Sequence, residues 1–122
     1  MDIVNEFNTT CNIFIDLLYS FTQDSDLSFY KKAMTQLVKA DKLKMIEQFT
    51  IHCLIHNEYI QNKDFSYFMN MQIKENGKES LLSIIKIKDI IQKFNQDQIN
   101  MIFDYLQLLC NFSIEHLNNT IT

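Results

Sequence analysis

The chain of 122 residues has no proline and a single glycine, Gly77. Proline and glycine commonly end helices and form the tight turns of β-hairpins. Their near absence argues against an all-β or α/β fold, because such folds need many turns. The length is sufficient to bury a core without disulfides or metals. We therefore predict an all-α protein, a single helical bundle of five to six helices that occupies one domain over residues 1–122.

Arginine is also absent, so the basic residues are 11 lysines against 15 carboxylates, and the net charge is -4. The arginine side chain forms the paired hydrogen bonds that recognise phosphates and guanine edges. An acidic chain without arginine is a poor match for a polyanion. Nucleic acid is therefore disfavoured as a partner.

The sequence lacks an apolar run long enough to span a membrane, and its first residues are acidic where a signal peptide would be basic. The three cysteines, Cys11, Cys53 and Cys110, are odd in number and have no disulfide-framework spacing. Cysteines of this number and spacing are typical of proteins in a reducing compartment. We expect a soluble intracellular protein that does not bind membranes.

Apolar residues in segment 95–117 recur every three or four positions, which predicts a helix with one broad buried face. Asn95 and Gln98 have the spacing of a capping box at its start. Segment 41–61 is apolar on nearly every side of its middle, which is typical of a helix surrounded by protein. We expect these two helices to form the centre of the bundle.

Further helices are predicted over 2–21 and 27–39, and a short one follows Asp64, which is a candidate cap. Segment 81–94 is interpreted as one helix or as two broken near 86–88, with a strand as the alternative because of its β-branched residues. The polar segment 72–79, which contains Asn76 and Gly77, predicts a turn. Residues 118–122 are expected to fray.

One group of residues has the composition of a metal site, namely His52, Cys53 and His56. On a continuous helix the two imidazoles would lie one turn apart on the same side, as two ligands of one ion must. No CxxC pair or HExxH motif accompanies them, and paired histidines beside a buried helix more often pack and form hydrogen bonds. We therefore predict no metal, no cofactor, no catalytic residue and no enzymatic activity.

Aromatic residues and methionine are candidates for a protein contact surface, although the same residues could fill the core. Near-heptad apolar spacing in the first helix makes a homodimer seam one alternative, against the simpler interpretation that this helix packs on the other helices of the bundle. Five lysines between 31 and 44 form a second candidate surface, for a nucleic-acid or transcription accessory protein, against the simpler interpretation of a solvated face. The candidate partner-binding residues are Phe7, Phe14, Phe65, Tyr67, Phe68, Met71, Lys31 and Lys32.

Three features occur in a recognisable order: an aromatic N-terminal helix, the segment KDFSYFM at 63–69, and the closing motif IFDYLQLL at 102–109. This arrangement resembles uncharacterised small helical proteins of nucleocytoplasmic large DNA viruses. The resemblance implies a viral accessory protein or minor virion component, located in the host cytoplasm or in the virion, and it implies no catalytic residues. Together with the lack of a catalytic group, this favours a non-enzymatic protein-interaction or scaffold protein.

Overall fold

The computed structural model describes residues 2–71 and 81–121, and within these ranges the chain forms eight α-helices, one 3-10 turn and no β-strand. The all-α prediction is confirmed. A 3-10 turn, Leu54–His56, lies between α3 and α4. The helices exceed the predicted five to six because two of the predicted segments are each broken. In chain order they are α1 (Ile3–Thr22), α2 (Ser25–Ala40), α3 (Lys44–His52), α4 (Asn57–Gln61), α5 (Phe65–Asn70), α6 (Leu81–Ile84), α7 (Ile87–Lys93) and α8 (Gln96–Ile121).

Side-chain caps fix where four of these helices begin. The carboxylates of Asp2, Asp24 and Asp64 accept backbone N–H groups in the first turns of α1, α2 and α5. At α8 the N–H of Gln98 donates to Asn95 Oδ1 at 2.8 Å, and the N–H of Asn95 donates to Gln98 Oε1 at 3.2 Å. These two bonds form the capping box, so the caps predicted at Asp64 and Asn95 are confirmed.

Helices α1 and α8 are the two longest and pack against each other. Phe14 of α1 stacks on Tyr105 with ring centroids 5.5 Å apart, and Phe21 meets Phe94, just before α8, at 6.0 Å. The end of α1 therefore lies beside the start of α8, and the two helices are antiparallel. The predicted core stripe of α8 is fully buried except at its far end, where Leu117 is partly exposed; the buried members are Ile99, Ile102, Phe103, Leu106, Leu109 and Cys110.

The prediction of one continuous, central helix over 41–61 is wrong. Helix α3 ends at His52. After it, the N–H of His56 donates to the carbonyl oxygen of Cys53, which forms the tighter 3-10 turn. This segment is also not surrounded by protein, because Ile51 is 61% exposed and Ile55 is 73% exposed. Helix α1 is the main partner of α8 at the centre, and α3 and α4 of this segment also pack against α8.

Segment 81–94 is two helices, which confirms the broken alternative and excludes the strand. Lys86 separates α6 from α7 in a left-handed conformation, with φ at 58°. Its Nζ lies 2.8 Å from the carboxylate of Asp24 and 3.5 Å from that of Asp26. This ion pair joins the break to the first turn of α2, a contact that no local pattern indicates.

Two further predictions concern the residues 72–79 and 118–122. The turn predicted over 72–79, with Asn76 and Gly77, lies outside the described residues. Helix α8 continues to Ile121, four residues beyond its predicted end at Leu117, and the fraying expected for 118–122 stays a prediction. Thr122 lies outside the described residues.

Candidate functional site

Three of the predicted contact residues lie in the core. Phe7, Phe14 and Phe68 are each 0% exposed, and their rings pack on other aromatic rings of the chain. Burial of a phenylalanine side chain contributes to folding, so these positions are occupied by the fold itself. They cannot contact a partner while the fold is intact, which corrects their assignment as surface residues.

The other candidates are accessible to different extents. Phe65, Tyr67 and Met71 are partly exposed, while Lys32 is exposed. Lys31 is partly exposed, and its Nζ lies 2.6 Å from the carboxylate of Asp16 on α1. The remaining lysines of the 31–44 group are exposed and form no ion pair within the parts of the chain that the structure covers; they are Lys39, Lys42 and Lys44.

The candidate metal trio, His52, Cys53 and His56, is not arranged as a site. His52 is the last residue of α3, and Cys53 is fully buried beside it. His56 lies beyond the break and its Nδ1 is 2.7 Å from the hydroxyl of Tyr67. Among residues 2–71 and 81–121, no three His, Cys, Asp or Glu side chains converge closely enough to hold a metal ion.

His56 instead belongs to a ring cluster that joins the 3-10 turn, α4 and α5. Tyr59 and Tyr67 stack in parallel with centroids 3.7 Å apart, and the imidazole packs against Tyr67 and Phe68. Burial lowers the pKa of His56. The neutral imidazole is therefore favoured in the folded protein, and its packing indicates a structural role.

The lowered pKa of His56 predicts acid sensitivity. A histidine whose folded pKa lies below its unfolded value of 6.5 binds its proton more tightly in the unfolded chain, so stability falls as the pH drops below about 6.5. We expect the free energy of unfolding to decrease between about pH 7.5 and pH 5. The His56→Asn variant, which keeps a polar group near the position of Nδ1, should lose less stability over the same interval. Equal losses in denaturant titrations would contradict the prediction.

An apolar cleft of about 180 Å³ lies between α1, α2, α3 and α6, and Cys11 and Cys53 are among its lining residues. Burial raises the pKa of the Cys11 thiol to about 12 and that of Cys53 to about 11. Both thiols are therefore protonated near neutral pH, and a protonated thiol is a poor nucleophile. The side chains that line the cleft are mostly apolar, and its cysteines are not activated for covalent chemistry.

A second surface, which we call the α1–α8 face, consists of apolar residues on the outside of the two central helices. Ile13 is 50% exposed, Met101 44% and Leu108 40%. The Phe14–Tyr105 stack places the Ile13 side of α1 next to this side of α8. Partly exposed residues at helical spacing lie beside them, so we define the face by Ile13, Leu17, Met101, Tyr105, Leu108 and Phe112.

Comparison with protein-family models, curated proteins and solved structures found no match to the chain. The α1–α8 face must therefore be interpreted from its own chemistry. Among the described residues, none of the helices combines the length and the apolar character needed to cross a bilayer.

Sequence reasoning missed the α1–α8 face, although a signal for it is present. Met101, Tyr105, Leu108 and Phe112 follow one another at steps of four, three and four, which places them on one side of α8. This second apolar stripe lies beside the core stripe of the same helix. When a helix carries two adjacent apolar stripes and one of them faces the core of the protein, the other is available to a different contact.

Proposed function

We propose that this chain is a non-enzymatic protein-binding module that contacts its partner through the α1–α8 face. The observation that carries the proposal is the exposure of Ile13, Met101 and Leu108 on adjacent helices. Large apolar side chains that share a surface gain free energy when a partner removes them from water. A non-enzymatic role is supported by the protonated state of Cys11 and Cys53 in the cleft between α1, α2, α3 and α6.

The composition of the face suits protein contact. Tyrosine and methionine are enriched in protein interfaces, and the flexible thioether of Met101 adapts to a partner's shape. Tyr105 is held by its stack on the buried Phe14 ring, so it loses little conformational freedom on binding. The face thus combines one rigid aromatic residue with adaptable neighbours, a combination that favours a small number of strong contacts.

The proposal includes a biological setting. We propose a viral accessory protein or minor virion component, acting in the host cytoplasm or in the virion, and its support is the resemblance of the IFDYLQLL motif at 102–109. That motif contains Tyr105 and Leu108 of the face as well as the buried Phe103. The same segment thus supplies core residues and contact residues.

Paired substitutions on two exposed surfaces test the proposed function. The double variant Ile13→Gln/Leu108→Gln removes apolar area from the face, and Ile51→Gln/Ile55→Gln removes it from an unrelated exposed site as the matched control. We expect the immobilised wild-type and control proteins to retain the same partner from an extract of the cells in which the protein occurs. The face variant should retain at least about tenfold less, as loss of a central apolar contact does.

Circular dichroism must first show that all three proteins are equally helical. Equal recovery by the wild type and both variants would contradict the proposal, and so would recovery of no protein at all. Sedimentation of the purified wild type and face variant tests the homodimer alternative, since a dimer formed through this face would dissociate in the face variant.

A further inference from the structure

The lysines of this chain are confined to one part of the sequence. All 11 lie between Lys31 and Lys93, so α1 and α8 contain none. These two helices nevertheless carry carboxylates, namely Asp16 and Glu6 on α1 and Asp97, Asp104 and Glu115 on α8. The two central helices therefore present an acidic surface, although they belong to a protein with abundant lysine.

Three of these carboxylates border the α1–α8 face. Glu6 lies two helical turns before Ile13, Asp97 one turn before Met101, and Glu115 two turns after Leu108, which places each carboxylate on the same side of its helix as the apolar residue. Glu6, Asp97 and Glu115 are exposed, and within the described ranges they form no ion pair.

The other two carboxylates form ion pairs with lysines of neighbouring elements. Asp16 pairs with Lys31 of α2 at 2.6 Å, and Asp104 pairs with Lys63 at 2.8 Å. Asp104 lies three residues after Met101 and four before Leu108, so its pair with Lys63 also borders the face. Among the described residues, the carboxylates of the face that are left unpaired are Glu6, Asp97 and Glu115, which we call the rim.

We propose that the partner of the α1–α8 face is a basic amphipathic helix, an inference that rests on the proposed function. An apolar stripe on such a helix would cover Ile13, Met101 and Leu108, while its flanking lysines or arginines would face the acidic rim. The face spans the 12 residues from Met101 to Phe112, or about 16 Å, which matches about three turns of the partner helix.

A second copy of this chain fits the face less well. Association of two copies through the same face around a two-fold axis would place the rim of one against the rim of the other. The unpaired charges of both rims are carboxylates, so the interface would bring like charges together and contain no lysine from either α1 or α8. Like charges placed opposite each other oppose association, whereas a basic helix supplies the missing charge.

Two synthetic peptides test the charge of the partner. They share one stripe of leucines at helical spacing over about 20 residues, a length that supports helix formation. One carries lysine and the other glutamate at the polar positions. In fluorescence anisotropy titrations at low salt, the full-length protein should bind the lysine peptide at least about tenfold more tightly than the glutamate peptide, and added salt should reduce the difference.

Matched variants distinguish the rim from the overall negative charge. The triple variant Glu6→Gln/Asp97→Asn/Glu115→Gln should bring the affinities for the two peptides to within about threefold of each other. The control Glu47→Gln/Glu58→Gln/Asp89→Asn, which neutralises three exposed carboxylates elsewhere, should keep the tenfold preference. Leu108→Gln should weaken binding of the lysine peptide about tenfold, because it removes apolar contact without changing charge.

Three results would overturn the inference: no binding of either peptide, equal binding of both by the wild type, or a preference that persists in the rim variant. Equal binding that Leu108→Gln weakens for both peptides would contradict only the basic charge and leave the protein-binding role of the face in place. Dimerisation of the wild type that Leu108→Gln abolishes would identify a second copy as the occupant instead.

Discussion

Replacing Phe103 by alanine should lower the free energy of unfolding by about 3–5 kcal/mol, the range for removing a large aromatic side chain from a packed core. Phe103 is fully buried in α8. Its ring meets Phe65 edge-on at 4.9 Å and Phe68 at 5.4 Å, both from α5. The substitution would remove these pairs and leave a cavity between α5 and α8.

Phe103→Ala should also increase local unfolding of α5. This helix has only six residues, and a helix so short is not stable in water without tertiary contacts. Hydrogen exchange of the amides in α5 should therefore accelerate more than the global loss of stability alone predicts. Phe103→Leu, which keeps most of the volume, should cost less than about 1.5 kcal/mol.

Denaturant titration followed by far-ultraviolet circular dichroism measures both losses, since the chain has no tryptophan to report by fluorescence. Met101→Ala is the matched control, because Met101 lies two positions earlier on α8 but on its exposed side. It should change stability by less than about 1 kcal/mol. A cost for Phe103→Ala no larger than that of the control would mean that the α5–α8 contact contributes little to the fold.

The elements that the sequence predicts correctly depend on local interactions. The capping box of Asn95 and Gln98 needs only residues three positions apart, and both of its hydrogen bonds form. The cap at Asp64 likewise depends on an N–H three positions away, that of Tyr67. Such bonds are determined by adjacent residues, so spacing alone indicates them.

The errors arise where tertiary packing decides the outcome. Segment 41–61 has the composition of a buried helix, yet Ile51 and Ile55 are exposed because Phe49, Cys53 and Ile60 are the residues that enter the core. Which apolar residue is buried depends on the elements that lie next to it. A pattern with several apolar sides contains no information about that choice.

The contact surface shows the same limit. The composition of the chain makes Phe7, Phe14 and Phe68 candidates for contact with a partner, but large rings gain most from burial, and these three lie in the core. The second stripe of α8, with Met101 and Leu108, is visible in the sequence as spacing. Its exposure is not, because that depends on α1 covering one side of α8 and leaving the other free.

Charge segregation, in contrast, is readable from the sequence alone. The first 30 residues and the last 29 contain no lysine, and α1 and α8 lie within these two segments. Only the antiparallel packing of the two helices turns this linear pattern into one acidic surface. The sequence therefore determines that α1 and α8 carry carboxylates without lysines, and the fold places these carboxylates beside the apolar face.

Replacing Asn8 by aspartate should lower the free energy of unfolding by about 3 kcal/mol at neutral pH, the cost of burying an unpaired charge. Asn8 is buried in α1, and its Nδ2 donates to the backbone carbonyl of Lys42 at 3.0 Å. Its Oδ1 is buried without a hydrogen-bond partner among the described residues. A carboxylate of the same size would turn the donor into an acceptor facing a carbonyl oxygen, and neither oxygen would be satisfied.

The pH dependence identifies the cause of that loss. Burial should raise the pKa of the new carboxyl above its unfolded value of about 3.9. The folded variant would then bind its proton more tightly than the unfolded chain, so its deficit relative to the wild type is full above the folded pKa and disappears as the pH falls towards 3.9. The protonated carboxyl can also donate to the carbonyl of Lys42, as the amide does.

Asn5→Asp places the same charge on an exposed position of α1 and should cost less than about 0.5 kcal/mol at every pH. A deficit in Asn8→Asp that does not shrink in acid would show that shape, rather than buried charge, makes this position intolerant.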